Sequence, residues 1–312
     1  MNSEISLIVL PVFLVIGLGF SLKRTGLVNS EFIFNLNRLI YYIALPSLLF
    51  YKIATADFFV SFNGVLLAGL VVSVLAIFII SFGFGKLMRY RSSVQGAFCQ
   101  GAFRGNLAYV GLAIVYNAYG EEGFAIAGIL LGFLVPLFNF LSVVALILPQ
   151  QKDSYRIGTF FLIKQIVYNP LILASFAGIL WSFLALPLPQ VVDRALGIVT
   201  GMSLPLALIA IGASFSFRKL RGDLAVAALS AILKIIISPI FAGGLLFLLG
   251  VRGQELAIGV LLAGTPTATA AYIMAQQLKS DAELSGAIIM LSTLCSLITY
   301  TFALYFLQMM GS

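Results

Sequence analysis

The sequence predicts an all-α protein that crosses a membrane about ten times. Of its 312 residues, 61% are hydrophobic and only 9% are charged, whereas soluble domains carry roughly 25% charged residues. The apolar residues form runs that are long enough to cross a hydrocarbon core about 30 Å thick, and short polar loops separate these runs. The lipid bilayer is therefore the expected solvent for most of this chain.

Hydropathy, together with glycine, proline and polar interruptions, divides the chain into ten candidate transmembrane helices. In chain order, the predicted spans cover residues 5–22, 31–53, 61–88, 92–117, 122–148, 157–184, 190–214, 223–249, 254–277 and 283–309. No soluble domain or low-complexity linker is expected between them. Five spans fall in each half of the chain, residues 1–150 and 151–312.

The charges of the loops predict how the spans are oriented. Eleven of the eighteen basic residues lie on one side: Lys23, Arg24, Lys86, Arg89, Arg91, Lys152, Arg156, Arg218, Lys219, Arg221 and Lys279. Lys52, Arg194 and Arg252 lie on the other side. Because Lys and Arg collect in cytoplasmic loops, the first side is predicted to be cytoplasmic and both termini to face outward. Topology thus explains the net charge of +7, and nucleic-acid binding is not expected because no basic stripe is interleaved with aromatic residues.

An internal repeat is visible in the sequence. Ala44-Leu45-Pro46 in span two resembles Ser203-Leu204-Pro205 in span seven, and Gly101–Tyr109 in span four aligns with Gly264–Tyr272 in span nine. Since each half has an odd number of spans, the second half must be inverted relative to the first. Two inverted five-helix repeats are typical of alternating-access transporters, whose site lies near the membrane midplane. Chance similarity between apolar segments is the alternative.

Spans four and nine are both interrupted by small and polar residues. Pro266 cannot donate a backbone hydrogen bond, and Gly105 and Gly264 make unwinding of the helix easier. Two half-helices that begin there would direct their positive N-terminal ends at a bound anion. Four side chains could donate hydrogen bonds to such an anion: Asn106, Thr265, Thr267 and Thr269. A simple kink or close helix packing is the alternative interpretation.

Two basic residues, Arg104 and Lys234, lie near the middle of spans four and eight. A cation at that depth costs at least about 2.5 kcal/mol, so it is expected to face the protein interior and to have a partner. Every acidic residue lies in a loop or at the edge of a span. A substrate carboxylate is therefore a candidate partner for both cations. The alternatives are that backbone carbonyls satisfy each cation, that the side chains extend toward the membrane surface, or that Lys234 is neutral.

Several other functional classes lack their required residues. The chain contains no histidine, which excludes a Ser-His triad and an HExxH metal site. No GxxxxGK phosphate-binding motif is present. We therefore expect neither an enzyme nor a cofactor, although a sodium site built from hydroxyl and carbonyl oxygens stays open.

The chain resembles the auxin efflux carrier family, in its bacterial branch, over essentially its whole length. The resemblance rests on five strings in order: Asn37–Pro46, Asn106–Gly111, Tyr168–Pro170, Lys234–Pro239 and Gly264–Thr267. It implies the fold of the bile-acid sodium symporter superfamily, with spans one, two, six and seven as a scaffold. Spans three to five and eight to ten would form the transport unit, in which spans four and nine cross as broken helices. By position, Asn106 and Pro266 would lie at this crossing.

The resemblance also implies export or import of organic anions, such as auxin in plants and malate or malonate in bacteria. We therefore expect a secondary transporter that moves a small carboxylate across the inner (plasma) membrane by alternating access. Pro46 and Pro205 are expected to shape the scaffold side of its cavity, and simple helix kinks are the alternative for both. A sodium-coupled symporter of the bile-acid type and a membrane ligand sensor or scaffold are the alternatives. The expected partners are the anion and the lipid bilayer, and the resemblance alone implies a homodimer.

Overall fold

The computed structural model describes residues 3–153, 168–215 and 223–309. Within these ranges the chain is helical apart from its loops and one isolated antiparallel bridge. Seven helices in the described ranges are long and apolar enough to cross a membrane. The chain is thus an all-helical, polytopic membrane protein. Residues 157–167 of predicted span six, and the basic residues Arg156, Arg218, Lys219 and Arg221, lie outside the described residues.

Twelve helices carry the architecture. In chain order they are α1 (Ser3–Arg24), α2 (Ser30–Ala54), α3 (Gly64–Leu87), α4 (Ser92–Phe103), α5 (Leu112–Ile147), α6 (Pro170–Phe183), α7 (Gln190–Gly201), α8 (Ser203–Ala213), α9 (Leu224–Leu248), α10 (Gly253–Ala263), α11 (Ala270–Gln277) and α12 (Ala282–Met309). A π-helical turn, Leu107–Gly111, leads directly into α5.

Three of the ten predicted spans are not long, continuous helices among the described residues, whereas span seven runs through Gln190–Ala213 and is divided only at Met202, between α7 and α8. Spans four and nine are interrupted, so α4 and α10 are each shorter than the roughly 20 residues that a crossing requires. The first part of span six is not described, and only α6 remains of it. Conversely, α5 joins the end of span four to span five across a break at Gly120 (φ 60°, ψ −149°). The number of ten spans therefore stays a prediction.

Two spans contain a wide π-helical turn just before a proline. The turn Ile40–Ala44 of α2 ends two residues before Pro46, and the turn Leu233–Ile237 of α9 ends two residues before Pro239. Proline lacks an N–H, and its ring crowds the carbonyl of the preceding turn. The residue after each π turn donates its N–H to the carbonyl five residues earlier, which gives the ring more room. Such bulges occur frequently at functional sites.

The chain forms two compact units, each of which takes segments from both halves of the sequence. The first unit lies within residues 1–63, 108–135 and 167–215, and it contains α1, α2, α6, α7, α8 and the first part of α5. The second lies within residues 64–107, 136–166 and 216–312, and it contains α3, α4, α9, α10, α11, α12 and the end of α5.

In the first unit, α1 and α8 lie unusually close together. The Cα of Gly19 lies against the carbonyl of Ile209, and the Cα of Gly212 lies against the carbonyl of Ile16, with no room for a Cβ at either glycine. Small residues allow membrane helices to approach to this distance. The same unit packs α2 against α6, where Ile53 lies over Gly178.

In the second unit, α4 is surrounded by α3, α9 and α12. The buried core here is made of small and large apolar residues from α4, α9 and α12: Ala97, Phe98, Val226, Ala227, Leu284, Ala287 and Ile288. The hydroxyl of Ser230 also donates to Phe98 O at 2.9 Å. This packing holds the C-terminal end of α4 deep inside the second unit, where the interruption of span four begins.

Candidate binding site at the two broken helices

The interruptions of spans four and nine meet in the second unit. Helix α4 ends at Phe103, and the next residue, Arg104, has an extended backbone (φ −78°, ψ 98°). Gly105 forms an antiparallel bridge with Thr267 in the interruption between α10 and α11. Backbone groups that leave a helix at membrane depth must find other partners. Here the two interrupted spans supply partners for each other.

Two backbone hydrogen bonds flank this bridge. The N–H of Asn106 donates to Pro266 O at 2.8 Å, and the N–H of Ala268 donates to Arg104 O at 3.0 Å. Pro266 has no backbone N–H, so it contributes only its carbonyl to the hydrogen bonds between the two segments. We call the paired segments 104–106 and 264–269 the crossing.

Gly105 is the point of closest approach at the crossing. A Cβ at this position would overlap Thr265 Oγ1 and would lie 3.3 Å from Lys234 Cε. The absence of a side chain is therefore required for span four to reach span nine. The glycine predicted to ease unwinding thus has a second, steric role that depends on the tertiary structure.

Two of the four predicted hydrogen-bond donors stabilise the crossing itself. Thr265 Oγ1 donates to Leu262 O at 2.8 Å, and Thr267 Oγ1 donates to Gly101 O at 2.8 Å. The N–H of Thr267 donates to Ser292 Oγ at 3.0 Å. Both threonine side chains are fully buried. Their hydroxyl protons are thus directed at backbone carbonyls rather than at an open site.

Asn106 and Thr269 are placed differently. Asn106 directly precedes the π turn Leu107–Gly111, and Thr269 directly precedes α11, so each stands at the start of the half-helix that follows an interruption. The Thr269 side chain makes no capping hydrogen bond, and the Asn106 side chain makes none to another described residue. The sequence alignment of Gly101–Tyr109 with Gly264–Tyr272 makes these two residues equivalent. Both can still donate to a ligand.

Arg104 connects the crossing to α5. Its guanidinium donates to Phe138 O at 3.2 Å, to Ser142 Oγ at 2.7 Å and to Asn139 Oδ1 at 2.8 Å. The side chain is buried, with 8% of its surface exposed. These three acceptors, all on α5, hold the guanidinium in place.

We expect an Arg104→Leu variant to be less stable than the wild-type protein. Removing the guanidinium takes away the donor to three acceptors on α5, and a buried polar group without a partner costs about 1–3 kcal/mol. The thermal unfolding midpoint in detergent measures the loss. Arg38→Leu is a matched control because Arg38 is exposed on α2. Equal midpoints for the two variants would contradict this role.

Lys234 lies in the π turn of α9 and is 1% exposed. Its Nζ donates to the carbonyl of Ala263, the last residue of α10. The structure therefore brings Arg104, Lys234 and the polar residues of the interruptions together around the crossing. Pro46 and Pro205 belong to the first unit.

The sequence analysis missed several residues that support the crossing. Asn139 and Ser142 lie nearly one helical turn apart in an otherwise apolar span, and this spacing was a usable signal for a buried polar face. Ser292 and Tyr300 of α12, which contact Thr267 N and Leu261 O, have no comparable spacing in the sequence that would have predicted these contacts. The Oε1 atom of Gln100, on α4, is buried and has no hydrogen-bond partner among the residues described.

The predicted cavity residues Pro46 and Pro205 lie in the first unit, where the other pair of repeat-related strings meets. Ser203 Oγ donates to Ala44 O at 2.8 Å. A cavity of about 520 Å³ in this unit is lined by Pro205 but not by Pro46. The tripeptides Ala44-Leu45-Pro46 and Ser203-Leu204-Pro205 are thus in contact in the first unit, as the interrupted segments are in the second.

Two polar side chains that line this cavity, Lys52 and Tyr51, have acidic partners. Lys52 Nζ lies 2.5 Å from Glu121 Oε2, and the Tyr51 hydroxyl donates to Asp193 Oδ1 at 3.0 Å. The searched part of the chain contains no group of three or more His, Cys, Asp or Glu side chains that could hold a metal ion.

Comparison with known proteins identifies the family. The profile of the family described as "Membrane transport protein" matches residues 5–304. A protein of Methanothermobacter thermautotrophicus named "Uncharacterized transporter" is 26% identical over 293 residues, which cover 93% of this chain and 94% of that protein. A protein of Rhizobium meliloti named "Putative malonate transporter" is 27% identical over 318 residues, which cover 98% of this chain and 97% of the relative.

Plant auxin carriers match a smaller part of the chain. Auxin efflux carrier component 6 of Arabidopsis thaliana is 21% identical over 140 residues, which cover 43% of this chain and 25% of the plant protein. The match of the family profile, by contrast, extends over nearly all of the described helices. These relatives are transporters and not enzymes, and the helices described above are those of a multi-pass plasma-membrane protein. The chain therefore belongs to the membrane transport protein family, which includes the auxin efflux carriers.

Proposed function

We propose that this protein is a secondary transporter that moves a small organic anion, a carboxylate, across the plasma membrane by alternating access. The observation that carries the proposal is the position of Asn106 and Thr269 at the starts of the two half-helices after the crossing. The first turn of a helix has free N–H groups and a positive partial charge. Two such turns, each with an uncommitted side-chain donor, suit a carboxylate.

The distribution of charge supports an anion over a cation or a neutral substrate. Arg104 and Lys234 are both buried at the crossing. Each of the eleven acidic residues lies near a helix end, in a loop or beside the Gly120 break. Two buried basic side chains beside the positive N-terminal ends of two half-helices suit a negatively charged substrate better than a cation. The electrostatics thus favour a carboxylate.

The relatives narrow the choice of carboxylate to test first. The Rhizobium meliloti protein, which matches nearly the whole chain, is named for malonate. A short dicarboxylate has one carboxylate for each of the two half-helix ends. Malonate is therefore the first candidate substrate for this protein, followed by malate.

The same proposal includes ten spans arranged as two inverted repeats, with both termini outside. Its support is that segments which align in sequence also meet in space. Ser203 contacts Ala44 in the first unit, and Thr267 pairs with Gly105 in the second. Such pairing is expected when two inverted repeats surround a pseudo-twofold axis. In the transport cycle, one unit would move relative to the other and expose the crossing to each side in turn.

Substitution of Asn106 or Thr269 by alanine is expected to reduce uptake of labelled malonate into proteoliposomes. A hydrogen bond to a charged group contributes about 1.5–3 kcal/mol, which corresponds to roughly a tenfold to hundredfold loss of flux at low substrate concentration. Asn106→Asp should abolish uptake, because a carboxylate at this position repels the substrate. Malate and indole-acetate are compared with malonate in the same assay.

Matched controls are available elsewhere in the membrane helices. Asn35 is exposed on α2, and Thr301 lies on α12, where its hydroxyl donates to Leu297 O. The variants Asn35→Ala and Thr301→Ala should transport at the wild-type rate. The proposal fails if folded wild-type protein moves no carboxylate. It also fails if the Asn106 and Thr269 variants transport as well as the controls.

A further inference from the structure

The cavity of the first unit has the composition of a small-molecule site. Its volume is about 520 Å³, which lies within the range of roughly 300–1,000 Å³ that is typical of ligand pockets. Its walls come from α1, α2, α5, α7 and α8 and are mainly apolar, as shown by Val12, Leu48, Phe124, Leu204 and Leu208. Among the described residues that line the cavity, Lys52 is the only charged one. An apolar chamber with one cation suits an anion that has an apolar body.

A carboxylate already binds the cation of this cavity. Lys52 Nζ donates to both carboxylate oxygens of Glu121, to Oε1 at 2.6 Å and to Oε2 at 2.5 Å. The hydroxyl of Tyr116, which also lines the cavity, donates to the same Oε1 at 3.4 Å. Lys52 and Tyr116 therefore form a complete set of donors for one carboxylate group, and Glu121 occupies that set.

Lys52 is held in place by groups other than Glu121. It lies in the last turn of α2, where the negative end of the helix favours a cation. Its Nζ also lies 5.6 Å from the centre of the Tyr51 ring, a cation–π contact. The hydroxyl of Tyr51 is in turn bound to Asp193 of α7. The cation would thus keep its position if Glu121 moved away.

Glu121, by contrast, can leave at little cost. Its side chain is 60% exposed, compared with 19% for Lys52, and it directly follows the break of α5 at Gly120. An ion pair with an exposed partner contributes little to stability, because water solvates the charge and ordering the two side chains costs entropy. A solute carboxylate would make the same contacts with Lys52 and would also bury its apolar body against the cavity walls. This balance favours exchange of one carboxylate for the other.

We infer that this cavity is a carboxylate site in addition to the crossing, and that it binds a monocarboxylate with an apolar body in place of Glu121. Lys52 holds the carboxylate of the ligand, and the apolar walls hold its body. A second carboxylate would lie against apolar walls without a cation, which is costly, so the site selects one carboxylate over two. Glu121 acts as a built-in competitor, which anions without an apolar body do not displace.

The first test is equilibrium binding of labelled benzoate to the purified wild-type protein in detergent, at neutral pH and constant ionic strength. Unlabelled benzoate, malonate and benzamide, the neutral analogue of benzoate, serve as competitors. We expect saturable binding that unlabelled benzoate displaces and that equal concentrations of malonate or benzamide displace far less. Absence of saturable binding would overturn the inference, and so would displacement by malonate or benzamide that equals displacement by benzoate.

Two substitutions at the ion pair are expected to have opposite effects on benzoate binding. Lys52→Met should weaken binding at least about tenfold, because the ligand loses its charged donor. Glu121→Gln should strengthen binding by up to about fivefold, because the competing group loses its charge. If the ion pair only stabilises the fold, the two variants will change binding in the same direction or not at all. Either of those results would contradict the exchange.

Matched controls keep surface charge and folding apart from the site. Glu122 and Lys86 are both exposed, and Glu122→Gln and Lys86→Met should bind benzoate as the wild-type protein does. Equal strengthening by Glu122→Gln and Glu121→Gln would reveal a general effect of charge and would refute the inference. If Lys52→Met does not fold, the comparison of these two glutamine variants decides the question. Because binding is measured without transport, a failure of malonate flux would count against the proposed function alone.

Discussion

Replacement of Gly105 by alanine is expected to abolish transport. The new Cβ would overlap Thr265 Oγ1 and would lie within 3.4 Å of Lys234 Nζ. Thr265 is fully buried and its hydroxyl is held by Leu262 O, so it cannot move aside without breaking the end of α10. Insertion of extra atoms into a packed interior typically costs about 1–3 kcal/mol. Here the overlap would force apart the two segments of the crossing, which form the proposed substrate site.

Malonate uptake by Gly105→Ala and the thermal unfolding midpoint of the variant test this expectation together. Gly244→Ala is the matched control, because a Cβ at Gly244 on α9 has open space around it. The control should transport normally and should not lose stability. If Gly105→Ala transports at the wild-type rate, the close approach of spans four and nine at this residue is not needed for function.

The second large effect is expected in the first unit, where Gly212→Ala should destabilise the protein. A Cβ at Gly212 would overlap the carbonyl oxygen of Ile16, which belongs to the backbone of α1. Because a backbone group cannot rotate away as a side chain can, α1 and α8 would have to separate. We expect a loss near the upper end of the overpacking range, about 3 kcal/mol, and a lower yield of folded protein.

Gly17→Ala provides the control for this substitution. Gly17 lies on α1 close to the same interface, yet nothing lies within 4 Å of its added Cβ. Alanine is also the better helix former, so this variant should be at least as stable as the wild-type protein. The unfolding midpoints of both variants in detergent give the comparison. Similar midpoints for Gly212→Ala and the wild-type protein would contradict the close packing of α1 with α8.

The positions of the helix interruptions could be read from the sequence. Gly105, Gly264 and Pro266 lower the stability of a helix wherever they occur, and the interruptions at 104–106 and 264–269 contain all three. The break at Gly120 and the π turn before Pro239 also follow from local chemistry, although the sequence analysis did not predict them. Local backbone preferences thus account for where the helices end.

The roles of the polar residues at the interruptions were only partly predictable. All four predicted donors do lie at the crossing, but the hydroxyls of Thr265 and Thr267 bind backbone carbonyls. Asn106 and Thr269 remain available. The distinction depends on residues far away in the sequence, since Thr267 bonds to Gly101 and Arg104 bonds to α5. No local sequence pattern in span nine predicts these contacts with distant residues.

The sequence by itself determined that this protein is a helical membrane transporter, because the bilayer accepts only long apolar helices with satisfied backbones and the family profile extends over most of the chain. Only the tertiary structure decided which groups pair at the crossing. Lys234 and Ala263 illustrate the difference. The sequence predicts that a basic residue in the middle of a span needs a partner, but only the structure shows that this partner is the carbonyl of Ala263. Partner choice depends on how separate helices pack, and that packing brings together residues that no sequence period connects.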